Sequence, residues 1–391
     1  MKIWIAPGLI LVATALTGAA AHADLAVPIL YLRAEVARPP VLSNLDPVPA
    51  DRGLAGAQVA LADNLTTGSF MGHAYALTVL SVPPGADLAA AALPALAQAQ
   101  LVLIDASPDA ILSVADLPQA RGALLFNVAS SDASLRSENC RANLLHTMPE
   151  DAARTDALMQ VLQKKQWQDT VMITGTRAPD LAFADSLRRS AAKFGIGILA
   201  EKAWTFDTDL RDSTMDEVPR FLQGMPDHDV VLIADETDDF ARYVEDNTWL
   251  PRPVAGSSGL VPTAWSPVIE SWGAVQLQNR FRAASARGMR GQDWSAWIAM
   301  RAIGEAVTRT NSSDPAVIRA YLMDPALQLD GFKGRGHSFR AWNGQMRMPI
   351  AVVNVRALVT LTPLEGFLHP VSEMDTLGLD APESACTAFK E

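Results

Sequence analysis

The chemistry-bearing residues of this chain gather in short polar loops that follow apolar strands. The clearest case runs from Arg121 to Asp151. A buried strand, Ala123–Val128, is followed by Ser130, Ser131 and Asp132, then by a short extended return, Asn143–Met148, and a helix opening at Glu150-Asp151. In open parallel α/β sheets, ligands sit beyond the carboxyl ends of strands, where loops offer backbone N–H groups and hydroxyls. The return is too short to rejoin the same sheet, so the chain is expected to hand over here to a second lobe, leaving a cleft between the two. Other side chains could serve such a cleft. Lys202 and Trp204 close a later strand, and Trp265 and Trp272 flank a helix start after a serine-rich loop. Lys202 could pair with a carboxylate or carry surface charge, and the three tryptophans could stack on a planar ligand or pack in the core or at its rim. Trp294 and Trp297, three apart on one helix, read as core.

Catalytic patterns are missing. No G-x-G-x-x-G follows a first strand, no phosphate-loop motif exists, and Gly256-Ser257-Ser258-Gly259 does not form a nucleophile elbow. Gly334-Arg335-Gly336 is a lone G-x-G before a β segment, and Asp238-Asp239 reads as a solvated helix face. Two lone cysteines and scattered histidines make no zinc site. An enzyme is therefore not expected.

The elements that position these loops come in order. Met1–Ala23 reads as a cleaved secretory signal, with Lys2, an apolar core from Ile5 to Ala20, and an Ala21-His22-Ala23 exit. The remainder is long enough for two domains, and no later run is long enough to span a bilayer. An exported, periplasmic protein follows. At 391 residues and net charge −11, without basic clusters, the chain argues against nucleic acid and anionic membranes as partners. The cysteine pair, Cys140 and Cys386, favours a disulfide in an exported chain over two buried thiols.

Strands are expected at Val27–Leu32, Tyr75–Val82, Leu101–Asp105 and Ala123–Val128, with helices at Gly53–Asn64, Asp87–Gln98 and Ala110–Leu117 between them and a proline-rich loop at Ala37–Pro49. The series restarts with helices at Glu150–Trp167, Leu181–Phe194, Met215–Gln223 and Thr237–Asp246. They alternate with strands at Thr170–Thr174, Gly197–Phe206, Asp229–Ala234 and Pro253–Gly256. Alternation of this kind means parallel α/β lobes. Helices at Pro267–Arg287, Asp293–Thr310 and Pro315–Met323 follow. The end reads as an antiparallel pair, Phe332–Phe339 with Pro349–Val355, around an Asn343-Gly344 turn.

The order of these elements resembles the type I periplasmic solute-binding proteins of the branched-chain amino acid and amide class. The strand, serine loop and NLLHTMPED crossover at 123–151, the DWSAWIAMRAIGEAV helix at 293–307, and LDGFKGRGHSFRAWNGQMRMPIAVVNV at 329–355 carry the resemblance across most of the chain. It implies a bilobal α/β fold with a multi-strand hinge. The first lobe would comprise 24–145 and 275–346; the second, 146–274 and 347–391 with an extended tail. It also implies a monomeric, non-catalytic binder without a required cofactor, serving the membrane subunits of an ABC transporter.

In that family, hydroxyls and backbone N–H groups hold a ligand carboxylate and an acidic group holds its amine. The matching loops carry Asp105 and Ser107, Ser130 and Ser131, Thr176 and Arg177, Asp235 and Glu236, and Ser257 and Ser258. Where the family has a cleft aromatic after the first strand of the second lobe, this chain has Thr176-Arg177. That suggests an anionic ligand clamped by guanidinium, with a solvated loop arginine as the alternative. Narrower patterns, EKAWTFDTDLR at 201–211, TWLPRPVAGSSGL at 248–260, and EGFLHPV and LDAPESAC near the end, resemble a subgroup linked to pyrroloquinoline quinone-dependent alcohol oxidation. That resemblance implies pyrroloquinoline quinone, or a small compound of the same pathway, as ligand. Ser107, Ser130, Ser131, Arg177, Lys202, Trp204, Asp235, Ser257 and Trp265 are the expected contacts. The alternatives are a branched-chain amino acid or amide, whose ammonium would meet Asp235 or Glu236, and a non-catalytic extracytoplasmic sensor.

Overall fold

A computed structural model describes residues 25–37, 48–204 and 210–390, with side chains left aside at 210–216. The expected export signal at 1–23, most of the proline-rich loop, and the last two positions of the strand expected at 197–206 lie outside the described residues.

The first lobe is built from β1 (Leu25–Ala34), α1 (Leu54–Met71), β2 (His73–Val82), α2 (Leu88–Leu96), β3 (Leu101–Asp105), α3 (Pro108–Ala115), β4 (Leu124–Asn127) and β5 (Leu144–His146). Its strands form one parallel sheet in the order β2-β1-β3-β4-β5. Because side chains alternate along a strand, β1 sends Val27, Ile29 and Tyr31 to one helical layer and Leu30 and Leu32 to the other. The return segment was expected to be too short to rejoin this sheet. Instead β5 pairs in parallel with β4 over three residues, Leu144–His146, all buried, and His146 bridges onward to Gln345.

The second lobe contains α4 (Asp151–Lys165), β6 (Asp169–Thr174), α5 (Ala178–Phe194), β7 (Gly197–Ala203), α6 (Leu210–Gln223), β8 (Val230–Ala234), α7 (Ala241–Val244) and β9 (Val254–Gly256). These strands make a second parallel sheet, β7-β6-β8-β9. The helix expected at Thr237–Asp246 is only the four-residue α7. The Asp235 carboxylate explains the difference, since it accepts the backbone N–H groups of Asp239, Phe240 and Ala241 and holds the preceding residues in a turn.

The chain then runs through β10 (Val261–Thr263), α8 (Ala274–Ser285), α9 (Gly291–Thr310), α10 (Pro315–Leu322), β11 (Ser338–Phe339), β12 (Met346–Arg347), β13 (Ile350–Val353) and β14 (Leu358–Thr362). Helices α8 and α9 return to the first lobe and pack on α1. The α1–α9 approach is close: a Cβ on Gly56 would lie 1.8 Å from the Asp293 carbonyl oxygen, and one on Gly304 would lie 2.2 Å from Asn64 Oδ1. The small-residue run at the start of α1 is thus a packing surface. Helix α8 starts seven residues later than the helix expected from Pro267.

The closing hairpin is smaller than expected and has another partner. β11 pairs with β12 around Asn343-Gly344, whereas β13 joins β10 and β14 in a separate antiparallel sheet between the lobes. The chain passes from one parallel sheet toward the other between β5 and α4, returns to pack on α1 between β10 and α8, and leaves again between β12 and β13.

After β14 a long tail lies over both lobes. Leu364 N–H bonds Gln160 of α4 at 2.9 Å, Gly378 N–H bonds Asp156 at 2.9 Å, and Leu379 N–H bonds Glu150 at 3.0 Å. Beyond these, Ala385 N–H reaches Ser137 Oγ in the first lobe, and Cys386 is disulfide-bonded to Cys140 with the Cα atoms 5.6 Å apart. Arg340, 2% exposed, holds the tail from beneath through Glu150, Asp375 and the carbonyls of Met374, Leu377 and Leu379. Among the described residues, no helix is long and apolar enough to cross a membrane.

Candidate functional site

The carboxyl ends of both parallel sheets carry polar loops, and each loop is held by its own side chains. In the first lobe, Asn127 ends β4 and organises the serine loop. Its Oδ1 accepts the N–H groups of Ala129 and Ser130, and its Nδ2 donates to the Ser130 carbonyl at 2.8 Å. Ser130 is buried, with its Oγ accepting Asp132 N–H. The Ser131 carbonyl accepts the N–H of Asp151 at 2.9 Å. This last contact, from the serine loop to the first residue of α4, joins the two lobes at the cleft floor. At the neighbouring strand ends, Asp105 accepts Tyr31 OH at 3.0 Å and Gln292 Nε2 at 2.6 Å, with Arg33 Nε 3.5 Å away. Burial pushes the Asp105 carboxyl up, against the opposing pull of Arg33 and Tyr31.

In the second lobe, Asp180 of α5 ties two loops together by accepting the N–H groups of Arg177 and Thr237. The loop after β8 is held from within, because Asp235 accepts three backbone N–H groups while its own N–H donates to Ser257 Oγ at 2.9 Å. Ser257 in turn donates to Glu236 Oε1 at 3.0 Å.

The centre of this arrangement is Arg154, on the first turn of α4. Its Nη1 lies 2.7 Å from Asp151 Oδ1 and 2.7 Å from Glu236 Oε2, its Nη2 lies 3.1 Å from Glu236 Oε1, and its Nε donates to the Pro262 carbonyl at 3.2 Å. The guanidinium also sits 4.6 Å from the centre of the Phe183 ring. Burial opposes the Arg154 charge, but Glu236 and Asp151 outweigh it and its pKa is raised. For Glu236, Arg154 overcomes burial and the pKa falls. For Asp151 burial wins: the carboxyl is pushed up to about 6, with Arg154 opposing and Glu236 assisting the rise. Arg154 therefore neutralises Glu236 first and Asp151 second.

Asp151 also lines a cavity of about 260 Å³, between the Asp132–Ser134 loop of the first lobe, one side of α5 and the tail at Leu379. Asp185, Ser186 and Arg189 supply its polar wall from α5.

The expected contacts separate into two groups. Ser130, Ser131, Arg177, Asp235 and Ser257 lie at the strand ends, and Ser107 is exposed just before α3. Arg177 pairs through Nε with Asp239 at 2.9 Å and keeps 47% of its side chain exposed. The others face elsewhere. Lys202 donates to the Phe221 carbonyl at 2.8 Å and lies over the Phe221 ring. Trp204, 5% exposed, stacks on Phe240 inside the second lobe, and Trp265, 1% exposed, stacks on Trp294. Trp272 is half-exposed beside Gly334. Asn127, Arg154 and Asp180 were not singled out from the sequence. Among the described residues, no group of three or more histidine, cysteine or acidic side chains is placed to hold a metal ion.

No known family profile matches the sequence, and no curated protein matches it. Solved structures do match in shape. A branched-chain amino acid ABC transporter periplasmic ligand-binding protein from Burkholderia xenovorans LB400 aligns with a TM-score of 0.69 at 14% identity, covering 94% of this chain and 100% of that one. A periplasmic binding protein from Burkholderia mallei aligns at 0.65 and 14% identity, covering 93% and 99%. The leucine-, isoleucine-, valine-, threonine- and alanine-binding protein from Brucella ovis, in its closed conformation, aligns at 0.64 and 13%, covering 87% and 92%. The fold is that of the type I periplasmic binding proteins, with two parallel-sheet lobes about a shared cleft.

Proposed function

We propose that this chain is the solute-capturing component of an ABC-type importer, exported to the periplasm and acting as a monomer without cofactor or catalysis. One observation carries the proposal: polar loops at the carboxyl ends of both parallel sheets come together at the start of α4, where Asp151 N–H meets the Ser131 carbonyl and Arg154 pairs with Glu236. Such an arrangement suits capture by hinge closure, each lobe supplying half of the contacts. Membrane subunits would then receive the closed, loaded form.

The narrower reading takes pyrroloquinoline quinone, or a small compound of the same oxidation pathway, as the solute. Its support is the resemblance of 201–211, 248–260 and the tail to that subgroup. Lys202, Trp204 and Trp265 are already engaged within the protein, so under this reading the quinone carboxylates fall to the strand-end arginines and hydroxyls instead. A branched-chain amino acid or amide is the alternative.

The test is titration of mature protein, unfolded and refolded to strip carried solute, followed by tryptophan fluorescence and thermal melting. Quinone, leucine and small amides are added separately. Saturable one-to-one binding by any one of them, accompanied by compaction in small-angle scattering, is the expected result. Flat responses across a broad solute panel would remove the capture reading.

A further inference from the structure

Resting on the capture reading above, the hydrogen-bond accounting at the strand ends narrows the class of solute. An amino acid brings an ammonium, and an ammonium needs acceptors. Among the described residues, the strand-end acceptors are largely engaged within the protein. Glu236 gives both oxygens to Arg154 and one also to Ser257. Asp235 gives both of its oxygens to backbone N–H groups. Asp180 is taken by the loop amides of Arg177 and Thr237, and Asp105 by Tyr31 and Gln292. Asp151 shares Arg154 with Glu236.

Donors remain. A guanidinium carries five N–H groups. Arg177 commits its Nε to Asp239 and stays half-exposed at the cleft edge of the second lobe. Arg33 reaches the cleft end of β1 in the first lobe, where its Nη1 donates to the Ala50 carbonyl at 2.5 Å and its Nε faces Asp105 at 3.5 Å. A cleft edge with an exposed guanidinium beside engaged carboxylates matches an acceptor-rich ligand.

We infer that the cleft selects a carboxylate-bearing solute lacking an ammonium, and that Arg154 determines this selectivity by occupying Glu236 and Asp151. Arg154 acts as a specificity-determining residue without touching the solute: it holds both oxygens of Glu236 and offsets one of the two carboxylate charges that would otherwise attract an amine. Negative discrimination of this kind works by denying the competitor its partner.

Matched ligands test the inference on the unmodified, oxidised protein. Calorimetry with 4-methylpentanoate and leucine, which differ by the α-ammonium alone, is paired with benzoate and isobutyramide. The expected result is binding of the two carboxylates at least about tenfold tighter than leucine. Arg177→Ala should weaken the carboxylates by about tenfold or more, the loss expected of one charge-assisted contact. Arg154→Met should shift the leucine to 4-methylpentanoate ratio toward leucine by about tenfold. Because that variant uncovers buried charge and can fail to fold, Glu236→Gln serves as the second probe. It keeps an acceptor for Ser257 and one Arg154 N–H, gives up the other Arg154 bond, and should tighten carboxylate binding. Leucine binding wild type tighter than 4-methylpentanoate overturns the inference, as does carboxylate affinity lowered by Glu236→Gln. Binding of isobutyramide alone also overturns it, while leaving the capture reading intact. Silence from all four ligands and from the broader panel removes both.

Discussion

Replacing Arg340 with methionine probes the ionic cluster that ties the tail to the hinge. Arg340 and Glu150 are 2% and 0% exposed, and Arg340 Nη1 lies 3.3 Å from Glu150 Oε1. Methionine keeps much of the volume but removes the charge. Asp375 retains Arg347 Nε at 2.8 Å, so it stays paired. Glu150 fares worse, keeping the Leu379 N–H at 3.0 Å as its near donor. Breaking a buried pair from one side costs about 3–5 kcal/mol, because the remaining charge is left desolvated. Burial already pushes the Glu150 carboxyl up, opposed chiefly by Arg340 and Arg136. Without Arg340 it rises further.

The sign of the pH effect follows. A carboxyl whose folded pKa exceeds its unfolded value binds more protons when folded, so stability falls as pH rises through that interval. The deficit of Arg340→Met should therefore shrink on acidification, by up to about 1.4 kcal/mol per pH unit. Urea unfolding of the oxidised protein, followed by circular dichroism at pH 5, 6.5 and 8, measures it. Adding Glu150→Gln should recover at least about 1 kcal/mol at pH 8, since the neutral amide has no charge to strand. A deficit below about 1 kcal/mol, or one of equal size at all three pH values, would refute this account of the cluster.

Three further perturbations follow from the same structure. Replacing both cysteines with alanine opens a loop of sequence separation 246 and should cost about 3–5 kcal/mol in urea unfolding, with amide exchange rising first at the tail and at the loop around Cys140. His337 is fully buried, and burial with Lys333 nearby pushes its pKa down to about 3. Its unfolded form takes up a proton first, so its contribution is intact above about pH 6.5 and lost as pH falls, by about 2 kcal/mol at pH 5. His337→Gln should flatten that acid slope in thermal melts. Gly56→Ala drives a methyl onto the Asp293 carbonyl and should destabilise by about 1–3 kcal/mol, measured by chemical unfolding.

Much of the fold was legible because strand periodicity and βα alternation are local signals. The first four strands of the first lobe were found to within two residues at each end, and the serine loop was placed at a strand end. The misses share a cause in distant contacts. Leu144–His146 looked too short to pair, yet it needs only the β4 edge for a backbone ladder and gains Gln345 beyond it. Val353 and its neighbours read as half of a hairpin, because nothing local announces β10, far earlier in the chain, as their partner. The polar residues of α4, Asp151, Arg154, Asp156 and Gln160, carry no local sign of burial. Arg154 is covered by Glu236 and Pro262, and Gln160 and Asp156 meet the tail across sequence separations of 204 and 222. Trp204 and Lys202 stood open between ligand contact and packing or surface roles, because their partners Phe221 and Phe240 come together only in the folded lobe.

The tail that covers α4 also works as a leash. Gly378 is fastened to the second lobe by Asp156, and Cys386 to the first by its covalent bond. Eight steps of chain separate these anchors, a reach of about 27 Å when taut. A hinge alone permits rotation until packing stops it; a hinge with a fixed-length tether has a maximum gape. Under the capture reading, a solute would enter through an opening no wider than the slack allows, and closure would draw that slack in.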